Sequence, residues 1–228
     1  MLLPAAIIGG GLAIAAALFV AGVIHSGALG LELAKGGIEL LVVVVLGSAV
    51  AFGFRQLDDR REERRRRDEY RVAFVEDIRK TDRRMRAARR TLNAFGFGRP
   101  MGGPTAEQCR EYDLQMRELD EAQLALEALS RTVNDDKEGH IFGRNRDTIL
   151  AALDHAEKYM HAVIGDWETH RGKVTPGADS AAAIGPQEGL LRFLGRSGAQ
   201  GGVADGLIEP VGTAVEQVQE LRFARGSD

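Results

Sequence analysis

The feature that most constrains the fold of this chain is a pair of apolar runs followed at once by a block of arginines. The runs are Leu2–Ile24 and Ile38–Phe54, and the block that follows reads RQLDDRREERRRRDEYR. A helix needs roughly 20 apolar residues, each rising about 1.5 Å, to cross a hydrocarbon core about 30 Å thick. The pattern therefore predicts a transmembrane hairpin over residues 1–54, with spans at about residues 2–24 and 36–54.

The first run has an alternative explanation as a cleaved signal peptide. That explanation is disfavoured because the run lacks a preceding basic region and is longer than the apolar part of a usual signal. In the second run, Glu39 falls in the first helical turn. A carboxylate at the bilayer centre is costly, so Glu39 is expected at headgroup depth.

The distribution of charge predicts the orientation of the hairpin. Cytoplasmic flanks of membrane helices are enriched in Lys and Arg. The connector HSGALGLELAK carries only Glu32 and Lys35, whereas the arginine block follows the second run. The 25 Arg and 5 Lys of the chain are typical of a GC-rich bacterial genome. These observations predict a multi-pass protein of the bacterial plasma (inner) membrane, with cytoplasmic N- and C-termini.

The basic segment predicts binding to anionic lipids of the inner leaflet. Residues 55–90 carry a net charge of +6, whereas residues 91–228 carry −8. Basic residues close to a bilayer are attracted to anionic lipids, and a helix with i,i+4 ion pairs in water is compatible with the same pattern. Nucleic-acid binding is disfavoured, because acidic residues are interleaved and no aromatic stacking set is present. The predicted membrane-surface residues are Arg55, Arg60, Arg61, Arg64, Arg65, Arg66, Arg67 and Arg71.

Small residues recur every four positions in the first apolar run. They are Gly9, Ala13, Ala17 and Ala21, and the second run offers Gly47 and Ala51. Small residues let helix backbones approach closely in lipid. The stripe therefore predicts packing of the two spans against each other. A contact between subunits of a homo-oligomer, or the lining of a pore, is the alternative.

Beyond the arginines, three heptad-like stripes predict an antiparallel three-helix bundle in the cytoplasm. The bundle occupies residues 55–170, with helices at about 55–95, 105–133 and 145–170. Thr105 and Gln108 have the spacing of a capping box at the start of the second helix. The fold class is thus all-α. The stripes are Phe74, Ile78, Thr81, Met85, Ala88, Leu92 and Phe95; Cys109, Tyr112, Met116, Leu119, Gln123, Leu126, Ser130 and Val133; and Ile149, Leu153, Ala156, Met160, Val163, Trp167 and His170.

The tail, residues 171–228, is predicted as a Gly/Pro-rich, partly flexible linker with one amphipathic helix. The apolar positions Leu207, Val211, Ala214, Val215, Val218 and Leu221 mark this helix. Docking on the bundle, contact with the membrane and binding of a partner are its alternatives, in that order of preference.

The sequence does not favour an enzyme, a cofactor or a metal site. Cys109 is the single cysteine and lies on an apolar stripe, which is typical of a core residue. Glu157 and His161 are four residues apart and could supply two metal ligands, but a zinc site needs more than one such pair.

Two functions follow as hypotheses. The first is a membrane-anchored helical bundle that acts by protein–protein interaction or scaffolding with an unidentified protein partner at the inner membrane surface. The alternative is a homo-oligomeric membrane pore or membrane-perturbing effector. The contact positions considered for the first hypothesis are Leu114, Leu124, Ile164, Leu190, Leu191 and Phe193.

Overall fold

The computed structural model describes Val20 and residues 28–97, 103–196 and 202–223. Within these residues the chain forms helices and turns and no strands, which confirms the predicted all-α class. A 3₁₀ turn, Gly143–Asn145, and a π-helical segment, Ala204–Ile208, precede two of the helices. The helices are α1 Ala28–Ala94, α2 Ala106–Asp135, α3 Arg146–His170, α4 Ser180–Ile184, α5 Glu188–Phe193 and α6 Glu209–Phe223.

The predicted location as a multi-pass protein of the bacterial plasma membrane is wrong. No helix in the described part of the chain is both long enough and apolar enough to cross a bilayer. The transmembrane hairpin is thus unsupported, and its first span falls in residues 2–24, of which only Val20 is described.

The chain divides into two compact units, Met1–Arg66 and Arg67–Asp228. In the first unit, the described side chains of α1 are almost all exposed. The second unit contains the hydrophobic core, to which the second half of α1 contributes together with α2, α3, α4, α5 and α6.

The three predicted stripes supply most of this core. In α1, α2 and α3 the apolar residues of each stripe face inward, as heptad spacing requires. Phe95, Gln123 and His170 are half-buried exceptions. The fully buried members include Ile78, Met85, Leu92, Met116, Leu119, Leu126, Ile149, Leu153 and Met160.

The tail packs on the bundle and supplies a fourth long helix. α6 lies against α3 and buries Val211, Ala214 and Val218. Of the contact positions considered from the sequence, Leu190 and Phe193 of α5 are fully buried, and Ile164 of α3 is 4% exposed. These three side chains therefore belong to the core and are not available to a partner.

Side-chain hydrogen bonds fix the loops between the long helices. At the start of α2, Gln108 N donates to Thr105 Oγ1 at 3.2 Å, and Thr105 N donates to Gln108 Oε1 at 2.8 Å. This arrangement is the predicted capping box. Between α2 and α3, Asp136 Oδ2 accepts from the backbone N–H groups of Ile141 and Phe142 at 3.0 and 2.8 Å.

Candidate functional site

The predicted membrane-surface arginines lie on α1 in two environments. Six of them are exposed and Arg67 is half-buried. Arg66 pairs with Glu62 at 2.6 Å and Arg61 with Asp58 at 3.8 Å, which is the ion-paired solvated helix that the sequence also allowed. The exposed six are Arg55, Arg60, Arg61, Arg64, Arg65 and Arg66.

Arg71, by contrast, is 1% exposed. Its Nε donates to the carbonyl oxygen of Ile141 at 2.7 Å, its Nη2 donates to the same oxygen, and its Nη1 donates to Asp68 at 3.0 Å. Phe74, one turn along α1, packs its ring against Phe142 with centroids 4.8 Å apart. Arg71 therefore ties α1 to the α2–α3 loop and presents no charge to a membrane surface.

The predicted helix-packing stripe falls mostly outside the described residues. Gly9, Ala13, Ala17 and Ala21 lie there. Gly47 and Ala51 lie on α1 and are exposed, and a Cβ placed on Gly47 would meet nothing within 4 Å. The role proposed for these residues in helix packing stays a prediction.

The first candidate surface is a groove between α1 and α2, here called the α1–α2 groove, with a volume of about 590 Å³. Its α2 side consists mainly of small side chains, Ala122, Ala125 and Ala128. Beside it, Leu124 is 55% exposed, and Leu114 is 52% exposed farther along the same helix. The remaining lining residues are Asp77, Lys80, Thr81, Arg84, Leu129 and Thr132.

Charges at the edge of the α1–α2 groove are partly neutralised. Arg84 donates from Nε to Glu118 and from Nη2 to Glu121, both at 2.6 Å. The hydrogen bond with Glu118 raises the pKa of Arg84. Lys80 forms no ion pair within the described residues, so it is the cation at this edge that is open to an acidic group.

The second candidate surface, here called the arginine groove, lies on the other side of the buried α1 stripe and has a volume of about 790 Å³. Arg83 pairs with Glu76, and Arg86 pairs with Asp82 at 2.9 Å. Arg89 and Arg90 have no carboxylate partner among the described residues. The groove is lined by Arg83, Arg86, Ala87, Arg89, Arg90, Asn93 and Ile208.

Three buried hydrogen-bond donors of the second unit are here called the donor cluster. Arg89 Nε, Tyr159 Oη and Arg192 Nε are each buried without an acceptor in the described part of the chain. Burial raises the pKa of Tyr159 to about 12, and the charges of Arg89 and Arg192 oppose that rise. These three residues come from α1, α3 and α5.

Tyr159 and Arg89 each lie close to a glycine of another segment. The ring of Tyr159 lies on Gly206, where an added Cβ would be 2.2 Å from Tyr159 Cδ2. Gly206 is two residues before Ile208, which lines the groove. A Cβ placed on Gly195 would lie 3.2 Å from Arg89 Nη2, so the guanidinium also reaches the end of α5.

The residues considered for chemistry lie apart from both grooves. Cys109 is buried, and the loss of solvent is the main cause that raises the pKa of its thiol. Gln123 Nε2 lies 3.1 Å from His161 Nδ1 and 3.4 Å from Glu157 Oε1. Across the residues with described positions, no group of three metal-ligating side chains comes together.

Neither the arginine groove nor the donor cluster was predicted from the sequence. The spacing in RRMRAARR places Arg83, Arg86 and Arg90 on one face of a helix, which is a recognisable signal. Tyr159 and Arg192 carry no such signal, because they reach Arg89 only through the packing of α3 and α5.

Comparison of the chain with known protein families, curated proteins and solved structures finds no match.

Proposed function

We propose that this protein acts by protein–protein interaction, and that a helix of the partner binds in the α1–α2 groove against Leu124. The observation that carries the proposal is the exposure of Leu124 beside a groove lined by alanines, with Leu114 exposed farther along the same helix. α2 already buries its inner stripe in the core, so these leucines are a second apolar surface on the same helix. Burying a leucine side chain contributes about 1.5–3 kcal/mol.

The dimensions of the surface suit a short helix. Leu114 and Leu124 are ten residues apart, which is about 15 Å along α2. A partner helix of about three turns matches that length. Helices pack with axes about 8–10 Å apart, and the small side chains of Ala125 and Ala128 favour the closer end of that range.

The charges at the groove favour a partner helix with an acidic residue. Lys80 lies at the α1 edge, whereas Arg84 is already held by Glu118 and Glu121. We therefore expect an amphipathic helix with an apolar face and an Asp or Glu that reaches Lys80, which is a common form of peptide recognition.

A site-specific photo-crosslinker tests this function. The full chain, with a benzoylphenylalanine at Leu124, is expressed in its native host and irradiated. We expect one discrete adduct with another protein, and we expect Ala125→Arg to abolish it because the larger side chain fills the groove. The matched control carries the crosslinker at Lys158, an exposed residue of α3.

Three outcomes would contradict the proposal: no adduct at Leu124, the same set of adducts at Lys158, or an adduct that Ala125→Arg leaves intact. An adduct of the chain with a second copy of itself would replace the separate partner by a homo-oligomer.

A further inference from the structure

The arginine groove is a second interaction surface, distinct from the α1–α2 groove, and its lining combines arginines with apolar side chains. Arg90 is exposed and engages no carboxylate among the described residues. Arg83 and Arg86 are also exposed, and each is paired with one acidic residue of its own helix. The exposed Ala87 and the half-buried Ile208 supply the apolar part of the lining. The groove therefore suits an apolar side chain that is accompanied by carboxylates.

The solvent-facing side of α6 has the complementary pattern. Glu216, Glu220 and Phe223 are spaced four and three residues apart, so they share one face of the helix, opposite the stripe that α6 buries in the core. Phe223 is 74% exposed, more than any other large apolar side chain in the described part of the chain. Glu220 accepts from Gln217 Nε2 at 3.1 Å, and neither glutamate forms an ion pair within the described residues. This face of α6 thus presents an aromatic ring together with two available carboxylates.

Phe223 lies too far from the arginine groove of its own chain to enter it. Asn145 Nδ2 donates to the carbonyl oxygen of Gln217 at 3.0 Å, so the end of α6 lies beside the start of α3. The α2–α3 loop, which leads into that start, contacts α1 at Arg71. The groove begins at Arg83, twelve residues farther along α1, which is about 18 Å. A ring from this position of α6 can therefore reach the groove only from a second copy.

We propose that the end of α6 from a second copy of this chain binds in the arginine groove, with Phe223 packed on Ala87 and Ile208. In that contact Glu216 and Glu220 lie against the arginines of the groove, so opposite charges meet. Guanidinium groups are attracted to the face of an aromatic ring, which favours the same placement of Phe223. Arginine and aromatic side chains are enriched at the centres of protein interfaces. The volume of the groove, about 790 Å³, has room for one phenyl ring.

Sedimentation equilibrium of the full chain tests this contact through an exchange of charges. One variant carries Arg83→Glu and Arg90→Glu in the groove, and the other carries Glu216→Arg and Glu220→Arg on α6. We expect the wild-type chain to associate, and each variant alone to associate at least roughly tenfold more weakly, because like charges then meet. An equimolar mixture of the two variants should recover the association, since each reversed surface finds its opposite on the other chain.

The matched control carries Arg110→Glu and Arg117→Glu. These are two exposed arginines of α2 with the same spacing as Arg83 and Arg90. The control changes the net charge of the chain by the same amount as the groove variant, so it should associate as tightly as the wild type does. An equal loss of association in the control and in the groove variant would show an effect of net charge alone and would overturn the proposal.

Phe223 supplies a further variant that leaves every charge in place. Phe223→Ser should weaken the association at least roughly tenfold, whereas Phe223→Leu keeps apolar surface and should weaken it less. The proposal is overturned if the wild-type chain stays monomeric up to about 1 mM, or if Phe223→Ser associates as tightly as the wild type does. It is also overturned if the two charge-reversed variants stay dissociated when they are mixed.

Discussion

The guanidinium of Arg71 stabilises the join between α1 and the α2–α3 loop. It is the largest fully buried side chain of the described core, and two of its nitrogens donate to one carbonyl oxygen. Only the planar fork of an arginine can make that pair of bonds from a single side chain.

Arg71→Met should lower the free energy of unfolding by about 2–3 kcal/mol, because it leaves the carbonyl of Ile141 without its charged donor. The free energy of unfolding of Arg71→Lys should lie between those of the wild type and Arg71→Met, since an ammonium keeps the charge but cannot reproduce the planar fork. Urea unfolding measures both. Arg79→Met, at an exposed position of the same helix, is the control and should change stability by less than about 0.5 kcal/mol. Equal losses in Arg71→Met and Arg79→Met would contradict this role.

The three tyrosines predict how stability depends on alkaline pH. Burial is the largest cause that raises the pKa of each, and Tyr159 reaches about 12. The folded chain thus holds these phenolic protons more tightly than the unfolded chain, whose tyrosines titrate near 10. The resulting stability is fully present below pH 10 and is lost as the pH rises from 10 to about 12.

Tyrosinate absorbance during an alkaline titration checks this order. Tyr70, which is 42% exposed, should ionise first, while Tyr112 and Tyr159 should ionise together with the loss of Trp167 fluorescence on unfolding. Tyr159→Phe should move alkaline unfolding to higher pH. Ionisation of all three tyrosines before unfolding would show that the phenols of Tyr112 and Tyr159 are accessible to solvent.

At the level of single residues, the sequence identified which side chains are apolar but not which charges are buried. Arg71 belongs to a run of arginines, and nothing in the local pattern separates it from Arg67. Its burial depends on Ile141, seventy positions away, whose carbonyl reaches it only after α2 and α3 have packed.

At the level of elements, the capping box determines where α2 begins. Thr105→Ala should lower the free energy of unfolding by about 1 kcal/mol, because the N–H of Gln108 loses its acceptor at the helix N-terminus. Thr148→Ala, at an exposed position in the first turn of α3, is the control and should be neutral or slightly stabilising, since alanine favours helix. Urea unfolding measures the free energy of unfolding of both variants. An equal change in Thr105→Ala and Thr148→Ala would contradict a capping role for Thr105.

The long helices were predictable because each repeats its apolar spacing over several turns. The stripes of α1, α2 and α3 lie in the core as the heptad pattern requires. The short helices α4 and α5 were not predictable, since five or six residues are too few to show a period and too few to be stable alone. Leu190 and Phe193 are helical because the core buries them.

At the scale of the whole molecule, the second unit should fold without the first. Every residue of the described core follows Arg67 in the chain. A chain that begins at Arg67 should therefore have the same free energy of unfolding as the full chain, to within about 0.5 kcal/mol. Urea unfolding followed by Trp167 fluorescence measures both chains. A chain that begins at Val75 lacks Arg71 and Phe74 and should lose about 3 kcal/mol or more. Equal stability of the two truncated chains, or a loss in the first, would contradict the division.

The candidate sites depend on this same packing, which explains why the sequence did not reveal them. The arginine groove needs Arg89 from α1 and Ile208 from the segment before α6, and the donor cluster adds Tyr159 and Arg192. These positions are far apart in the chain and share no short motif. The exposed Leu114 and Leu124 could be considered from the sequence because both lie off the inner stripe of a single helix.

The central position of α3 has a consequence for local motion. α3 packs against α2, α5, α6 and the π-helical segment, so its backbone amides can exchange with solvent only when several neighbours separate at once. The amides around Leu153 and Met160 should then exchange through global unfolding, and those of α5 through smaller openings of lower free energy. The bundle would open from the tail inward, with α3 as the last helix to lose its protection.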